Sequence, residues 1–376
     1  MGHHSEAFIG IDTSKLKNAV AIAEAGRDGE VRDLGELDTS PAVTRKLVMR
    51  LAGRYEKLTF CYEAGPTGFG LHRQITGLGH ECLVAAPSLI PRKAGDRVKT
   101  NRRDARGLAR NLRAGELTAV WVPDERHEAM RDLSRAREAA ASDMKRARQR
   151  ILSMLLRLGL IYRSTKPWTK AHRNWLAGVK LAHREQRIAF EELIAAEREA
   201  GARVGRLEQA IREAVPDWSL EPLVVALQAA RGIDVVVAVT VLAEIGDLSR
   251  FASPRELMGY IGLVPSEDST GDKVRRGPIT KAGNARVRRV LTEAAWAYRH
   301  PPRIGKEKRA KVEAAPEAVR AIAWKAQMRL CGRYRALMKK GKQKNVVTTA
   351  IARELAGFIW AIGREMQPAI KAAARG

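Results

Sequence analysis

Short apolar runs alternate with amphipathic stretches in the first third of the chain. Four of these runs have the length and composition of strands, and a helical pattern follows them at Arg103–Ala114. The runs are Phe8–Ile11, Asn18–Ala23, Leu58–Tyr62 and Glu81–Ala86. Because strand and helix patterns alternate, we predict an α/β domain over residues 1–124.

The pattern changes after Glu128, where apolar residues recur in alternating steps of three and four. This spacing is typical of coiled-coil helices, and only Arg137 interrupts it. The apolar positions are Met130, Leu133, Ala140, Met144, Ala147, Ile151, Met154 and Leu158. After a break near Pro167, a second stripe runs from Trp175 to Pro216 through Leu193, Ala196, Ala200, Leu207 and Ala214. Residues 125–219 are predicted to be an antiparallel coiled-coil arm or, equally, a helical subdomain with a charged solvent face.

Helical patterns continue from Leu220 to the end of the chain. Leu227–Gly232-Ile233 followed by Ala238–Ile245 predicts two short helices joined at Gly232. Such a helix-hairpin-helix-like turn can point backbone N–H groups at a phosphate, although a glycine between two core helices explains it equally well. An amphipathic helix over Ile351–Ile362 lies near the end. We therefore predict a mostly helical domain over residues 220–376.

The formal net charge is +26, from 68 Lys and Arg against 42 Asp and Glu. A folded protein with this imbalance repels itself unless a polyanion neutralises it, so nucleic acid is the expected partner. Residues 271–311 alone hold thirteen Lys or Arg against three Asp or Glu. No run reaches the ~18–20 apolar residues of a membrane-spanning helix, and residues 1–6 do not begin a signal peptide. We expect a cytoplasmic protein without a membrane partner.

Carboxylates stand at the ends of two predicted strands. Asp12 follows Phe8–Ile11, and Glu63 follows Leu58–Tyr62. Neighbouring carboxylates can share Mg²⁺, which takes oxygen ligands, keeps substrate phosphates in its shell and catalyses phosphodiester cleavage. Asp104 is the natural third ligand, and Asn101 lies one helical turn before it on the same face.

Each of these acids taken alone is explained as well by a helix cap or a surface charge. Asp96 offers a carboxylate near Asp104, at a different spacing. Together the residues predict a magnesium site at Asp12, Glu63 and Asp104, with Asn101 beside it. Cys61, Cys82 and Cys331 lie too far apart in sequence to indicate a zinc site or a disulfide framework.

A polar turn at residues 265–271 offers hydroxyl groups beside the basic stretch. Ser266 or Ser269 could attack a phosphodiester and keep its bond energy as a phosphoserine ester. The local sequence alone favours the plainer reading, in which these hydroxyls cap helices or form turns. The cations expected to contact phosphates here and on the following helix are Arg275, Arg276, Lys281, Arg286, Arg288 and Arg289. The lysines at 339–344 form a second basic run, which is either a nucleic-acid contact or a solvated loop.

Four motifs in this order resemble one known family. They are Gly10-Ile11-Asp12-Thr13-Ser14-Lys15, Tyr62-Glu63-Ala64-Gly65-Pro66-Thr67-Gly68, Val98-Lys99-Thr100-Asn101-Arg102-Arg103-Asp104-Ala105, and Gly262–Gly271 with Ile279–Asn284. The chain resembles, over nearly its whole length, the DEDD-type transposases of insertion sequences. These are bridge-RNA-guided recombinases with an RuvC-like (RNase H-like) domain and a second transposase domain that carries a serine.

The resemblance implies a fold, a mechanism and partners. It implies Ser269 as the nucleophile, with Ser266 as the fallback, and an acidic site that acts with the serine of another subunit. It also implies DNA substrates, namely the element ends and the target, a structured guide RNA, and a homo-oligomer such as a dimer or tetramer. One position departs from the family, because the third motif has two aspartates three residues apart and Asn101 occupies the first place.

Three functions remain open from the sequence. The leading one is a transposase that cuts and rejoins DNA through a phosphoserine intermediate. The second is a Holliday-junction endonuclease that uses metal-activated water and forms no covalent bond to DNA. The third is a protein that binds nucleic acid without catalysis, in which Asn101 marks a decayed site.

Overall fold

The computed structural model describes residues 4–91, 100–164, 166–270 and 273–373. Asp96 and Gly271, both named above, lie outside these residues. The chain divides into two compact units, residues 1–122 and 123–376. The predicted arm and the predicted C-terminal domain both belong to the second unit, and their separation into two domains stays a prediction.

The first unit is an α/β domain, as the alternating pattern predicts. Its strands form one sheet in the order β3-β2-β1-β4-β5, with β1, β4 and β5 parallel, β2 antiparallel to β1, and β3 antiparallel to β2. The elements are β1 (His4–Asp12), β2 (Lys17–Glu24), β3 (Val31–Asp38), α1 (Pro41–Ala52), β4 (Tyr55–Glu63), α2 (Gly70–Gly77), β5 (Glu81–Ala85) and α3 (Asn101–Arg113).

The two faces of the sheet are covered by different helices. Side chains alternate along a strand, so Ile9 and Ile11 lie on one face, in a core shared with α1 and α2. Gly10 lies on the other face, which α3 covers. A Cβ at position 10 would lie 2.3 Å from the Ala105 carbonyl oxygen, so only glycine lets α3 pack this closely on β1.

The second unit begins with two long helices that pack side by side. They are α4 (Glu125–Arg157) and α6 (Arg184–Ala214), with the short α5 (Lys170–Ala177) between them. Side-chain pairs join Arg137 to Glu208, Asp143 to Arg203 and Arg148 to Glu197. The partner's number falls on α6 as the number rises on α4, so the two helices are antiparallel. That this pair forms an arm of its own stays a prediction, as does the alternative of a helical subdomain with a charged solvent face.

The second helical stripe differs from its prediction in two places. Trp175 belongs to α5, which ends before Gly178, and α6 begins only at Arg184. Ala196 is exposed, whereas Glu197 is buried against α4. Burial alone would raise the pKa of Glu197, but hydrogen bonds from Arg148 and Arg173 hold it below its usual range.

The remaining residues pack around one large core. The helices are α7 (Glu221–Leu227), α8 (Val235–Ile245), α9 (Pro254–Tyr260), α10 (Ala285–Ala295), α11 (Lys306–Glu313), α12 (Glu317–Lys339), α13 (Lys344–Glu365) and α14 (Gln367–Ala373). A two-stranded antiparallel sheet of β6 (Pro265–Glu267) and β7 (Arg276–Ile279) interrupts them. Gly232 joins α7 to α8 with a φ of +80° and packs against the backbone of Ala294.

One helix of the described residues, α13, is long and apolar enough to cross a membrane by length and composition alone. Half of its apolar window is buried within the protein. Ile351, Leu355 and Ile359 on this helix are almost fully enclosed by the surrounding core. The helix therefore has the burial of a central core helix, and the cytoplasmic location stays a prediction.

Candidate active sites

The structure brings Asp12 and Glu63 to the same edge of the sheet. Ile11 pairs with Tyr62 across the parallel strands β1 and β4, so the next residues, Asp12 and Glu63, are neighbours at the two strand ends. Parallel strands lie about 4.8 Å apart. Both carboxylates are half-buried and project on the face that α3 covers.

Helix α3 begins at the same edge. Its C-terminal Arg113 donates to the carbonyl of Glu24, which lies opposite the start of β1, while Ala105 packs against Gly10 near the end of β1. The first turn, with Asn101 and Asp104, therefore lies toward the strand ends that carry the carboxylates. Thr100 caps the helix by accepting a hydrogen bond from the Arg103 N–H.

Two threonines missed by the sequence analysis connect the loops at this edge. Thr13 directly follows Asp12, and its hydroxyl lies 3.1 Å from that of Thr67, four residues after Glu63. The hydroxyl of Tyr62 donates to the carbonyl of Gly68 and holds the second loop in place. A groove of about 1070 Å³ opens beside these loops, and its lining includes Lys15 and Arg45 among mostly neutral residues. Residues of α1 and α2 border this groove, whereas Asp12 and Glu63 lie on the face that α3 covers.

The oxygen donors at this edge come from two strand ends and one helix. Asp12 and Glu63 end neighbouring strands, and Asp104 and Asn101 lie in the first turn of α3, but among the described residues no three acidic, His or Cys side chains form a group that could hold a metal ion. Magnesium commonly binds through one or two carboxylates and fills its remaining positions with water and substrate phosphates. The residues that would hold it are Asp12, Glu63 and Asp104, with Asn101 as an uncharged oxygen donor.

Ser269 lies on the hairpin of β6 and β7 in the second unit. Its side chain is exposed, and its hydroxyl donates to the Glu267 carboxylate at 3.0 Å. The hydroxyl also accepts a 3.3 Å hydrogen bond from the backbone N–H of Arg275. The guanidinium of Arg276 lies 3.6 Å from the same Glu267 carboxylate. A hydroxyl, a carboxylate acceptor and two cationic residues thus meet on one exposed hairpin.

Ser266 has different surroundings. Its hydroxyl donates to the carbonyl of Pro278 on the opposite strand, and a Cβ at Gly277 would lie 2.5 Å from its oxygen. The hydroxyl is therefore engaged in holding the hairpin together. Of the two serines, Ser269 is the more exposed and has a carboxylate partner.

The motif after the hairpin is packed against the loop before it. Gly262 and Gly283 both have positive φ, and a Cβ on either would lie about 2 Å from a carbonyl oxygen of the other segment. Asn284 caps α10 and donates to Glu244, which also accepts two hydrogen bonds from Arg135. Burial would raise the pKa of Glu244, but these hydrogen bonds hold it below its usual range.

The predicted phosphate-binding cations fall into two groups. Arg275, Arg276 and Lys281 are exposed on or beside the hairpin. The three arginines of α10 each have intramolecular partners. Arg286 and Arg289 pair with Glu138, and Arg288 donates to the backbone carbonyls of Ile261, Ala282 and Gly283. Phosphate binding by these α10 arginines stays a prediction.

Sequence comparison identifies the family. Residues 9–159 match the DEDD transposases of the IS110 type, and residues 225–308 match the IS116/IS110/IS902 transposase family. A putative transposase, y4qE, of Sinorhizobium fredii is 55% identical over 362 residues, which cover 96% of this chain and 90% of the relative. The transposase for insertion sequence element IS1533 of Leptospira borgpetersenii is 29% identical over 341 residues, or 90% of this chain and 98% of the relative.

The chain belongs to the IS110-type DEDD transposases of insertion sequences. It is therefore a DNA transposase, and DNA is its partner. DEDD-type transposase domains typically use divalent metal ions, which agrees with the oxygen donors at the sheet edge.

Proposed function

We propose that this transposase cuts and rejoins DNA through a phosphoserine intermediate formed at Ser269. The hydrogen bond from the Ser269 hydroxyl to the Glu267 carboxylate is the observation that carries the proposal. A serine is a weak nucleophile unless a base accepts its proton, and a hydroxyl–carboxylate pair at hydrogen-bond distance provides that base. The engagement of Ser266 with Pro278 supports the choice between the two serines.

The chemical step conserves atoms and charge. The Ser269 oxygen attacks a DNA phosphorus, a Ser–O–P bond forms, and the P–O bond to the departing strand breaks. The serine proton passes to Glu267 and from there to solvent, and the departing oxygen takes a proton from solvent water. The N–H of Arg275 and the guanidinium of Arg276 stabilise the negative charge that develops around the reacting oxygens. Attack by the hydroxyl of another strand reverses the step and rejoins the DNA without ATP.

The first unit is proposed to be an RNase H-like, RuvC-like domain with a magnesium site at Asp12, Glu63 and Asp104. The strand order, with antiparallel β1, β2 and β3 followed by the parallel β4 and β5, and acids at two parallel strand ends and at the start of α3 support this assignment. Bound magnesium would supply Lewis-acid stabilisation of phosphate charge. Asn101 would position the phosphate or complete the ligand set through its amide oxygen.

The assembly follows from the family resemblance. We propose a homo-oligomer in which the acidic site of one subunit acts with Ser269 of another, directed by a structured RNA. We also propose a division into three domains at residues 124 and 219. The same proposal includes phosphate contacts by Lys281 and the α10 arginines. The net charge of +26, which exceeds what a folded chain needs for solubility, supports a large nucleic-acid partner.

A covalent-adduct assay with four proteins tests the serine mechanism. The wild type and Ser266→Ala should both leave a protein–DNA adduct on a denaturing gel, whereas Ser269→Ala should leave none. Glu267→Gln should slow adduct formation by about 10²–10⁴-fold, the usual contribution of a general base. Strand cutting by Ser269→Ala without an adduct would contradict the proposal and indicate hydrolysis by metal-activated water.

A further inference from the structure

The far end of the α4–α6 pair carries a strong excess of positive charge. Residues 144–190, here called the arm end, contain twelve Lys or Arg and a single acidic residue, Glu185. The adjoining part of α6, residues 191–213, contains four Arg against six Glu. The excess is therefore a local property of the arm end and not of the helix pair as a whole.

Two of the twelve cations have a structural role. Arg148 and Arg173 both bind the buried carboxylate of Glu197, and Arg148 also stacks 4.9 Å from the ring centre of Trp168. Trp168 packs in turn against His172, so this cluster fixes the segment between the long helices. The other ten cations of the arm end make no ion pair with a described residue inside it.

Three of the remaining arginines form a row on α4. Arg146, Arg150 and Arg157 are exposed and lie on one helix face with Ser153, because their spacings are four, three and four residues. They line a groove of about 810 Å³ beside α6. Arg146 pairs with the exposed Asp143, whereas Arg150 and Arg157 make no ion pair with any described residue.

The groove itself favours contact along its α4 side. The α6 wall carries Glu185 and Glu192, which repel a phosphate that enters deeply. The arginine row is about 16 Å long at 1.5 Å per residue, and one strand of duplex DNA presents about five phosphates over that length. Guanidinium groups bind phosphate oxygens through paired hydrogen bonds. The row therefore matches the edge of a phosphate backbone.

We propose that Arg146, Arg150 and Arg157 bind the backbone of duplex DNA without reading its sequence. A duplex is favoured over a single strand because single strands are held by stacking on exposed aromatic rings. The rings near the row, Trp168 and Trp175, pack into the arm end instead. The proposal rests on DNA as the transposase's partner and is independent of the serine mechanism.

Salt-dependent binding to a 30-base-pair duplex of arbitrary sequence tests the proposal in the full chain. The test variant is Arg146→Gln/Arg150→Gln/Arg157→Gln, since glutamine keeps the helix propensity. The control, Arg198→Gln/Arg206→Gln/Arg212→Gln, removes the same charge from the balanced part of α6. The test variant should make the negative slope of log K against log salt shallower by about 2.7, or 0.9 per lost contact, and raise Kd at least about tenfold.

Three results would overturn the proposal, provided that circular dichroism shows both variants folded. The first is an equal slope for the two variants. The second is a greater loss of affinity for a structured RNA hairpin than for the duplex. The third is a change in oligomer mass without a change in slope. This result would mean that a second copy of the chain, and not DNA, binds the arm end through the exposed Leu156 and Ile161. Adduct formation at Ser269 is measured in parallel at saturating DNA. This measurement distinguishes failure of the DNA-binding proposal from failure of the serine mechanism.

Discussion

Asn101 is the residue at which this chain departs from the acidic motif of its family. It is exposed at the first position of α3, one turn before Asp104. We expect Asn101→Asp to bind Mg²⁺ or Mn²⁺ several-fold more tightly, because a fourth carboxylate adds charge to the ligand set. Calorimetric titration of the protein with each metal measures the change.

The matched control for that substitution is Asn111→Asp, which adds the same charge at the other end of α3. It should leave metal affinity unchanged, since Asn111 donates to Pro91 away from the strand ends. Equal effects of the two substitutions would mean that only net charge matters. No effect of Asn101→Asp would place Asn101 outside the ligand set.

The sequence predicted some site residues better than others. Asp12 and Glu63 could be predicted because each ends an apolar run, and parallel strands end at one sheet edge. Glu267 could not be predicted as the partner of Ser269, because Asp268 is closer in sequence and equally acidic. Only the hairpin register places the Glu267 carboxylate against the hydroxyl. Thr13 and Thr67 are 54 residues apart, so no local pattern connects them.

At the scale of elements, the contact between the loop before β6 and the turn before α10 depends on glycine. Gly283 has a φ of +71°, and a Cβ there would lie 1.9 Å from the Tyr260 carbonyl oxygen. Gly283→Ala should therefore lower the free energy of unfolding by about 2–4 kcal/mol, from backbone strain and the steric clash. Chemical denaturation followed by circular dichroism measures this change.

Gly332→Ala is the control for that experiment. Gly332 lies within α12, where a Cβ would meet nothing within 4 Å. Replacing a helical glycine with alanine should raise stability by about 0.5–1 kcal/mol. A loss of stability at both positions, or at neither, would contradict the role assigned to the close contact at Gly283.

The long helices show where periodicity is informative and where it fails. The steps of three and four predicted the buried side of α4, and Arg137, the one interruption, is explained by its pairing with Glu208. On α6 the same reasoning chose Ala196, although Glu197 is the buried residue. A glutamate is assigned to the surface unless its partners are known, and Arg148 and Arg173 come from two other helices.

At the scale of the whole molecule, the net charge of +26 and the family resemblance predict a bound RNA. We expect the protein, expressed with the DNA that flanks its gene, to purify with one discrete RNA transcribed from that DNA. Sequencing of the retained RNA identifies it. The complex should release RNA in about 1 M salt, where the Debye length falls to about 3 Å. A random sample of cellular RNA would contradict guidance and leave only charge-driven binding.

The sequence also predicted the larger architecture in part. The pattern changes near residue 125, and the chain divides into its two compact units between residues 122 and 123, whereas the three-domain division stays a prediction. The basic surface of the arm end was not predicted, because its cations are spread over three helices and the turns between them. The spacing of Arg146, Arg150 and Arg157 places them on one face of α4, but the groove beside them forms only where α4 packs on α6.

Because α4 and α6 are antiparallel and paired along their length, the length of the helix pair can change only by steps that preserve this pairing. Removing seven residues from one helix alone would shift the register of the pairs on one side of the deletion. Removing seven from each helix at facing positions would keep the register and shorten the helix pair by about 10 Å. Insertions and deletions in related elements should therefore occur as matched pairs, one in each helix.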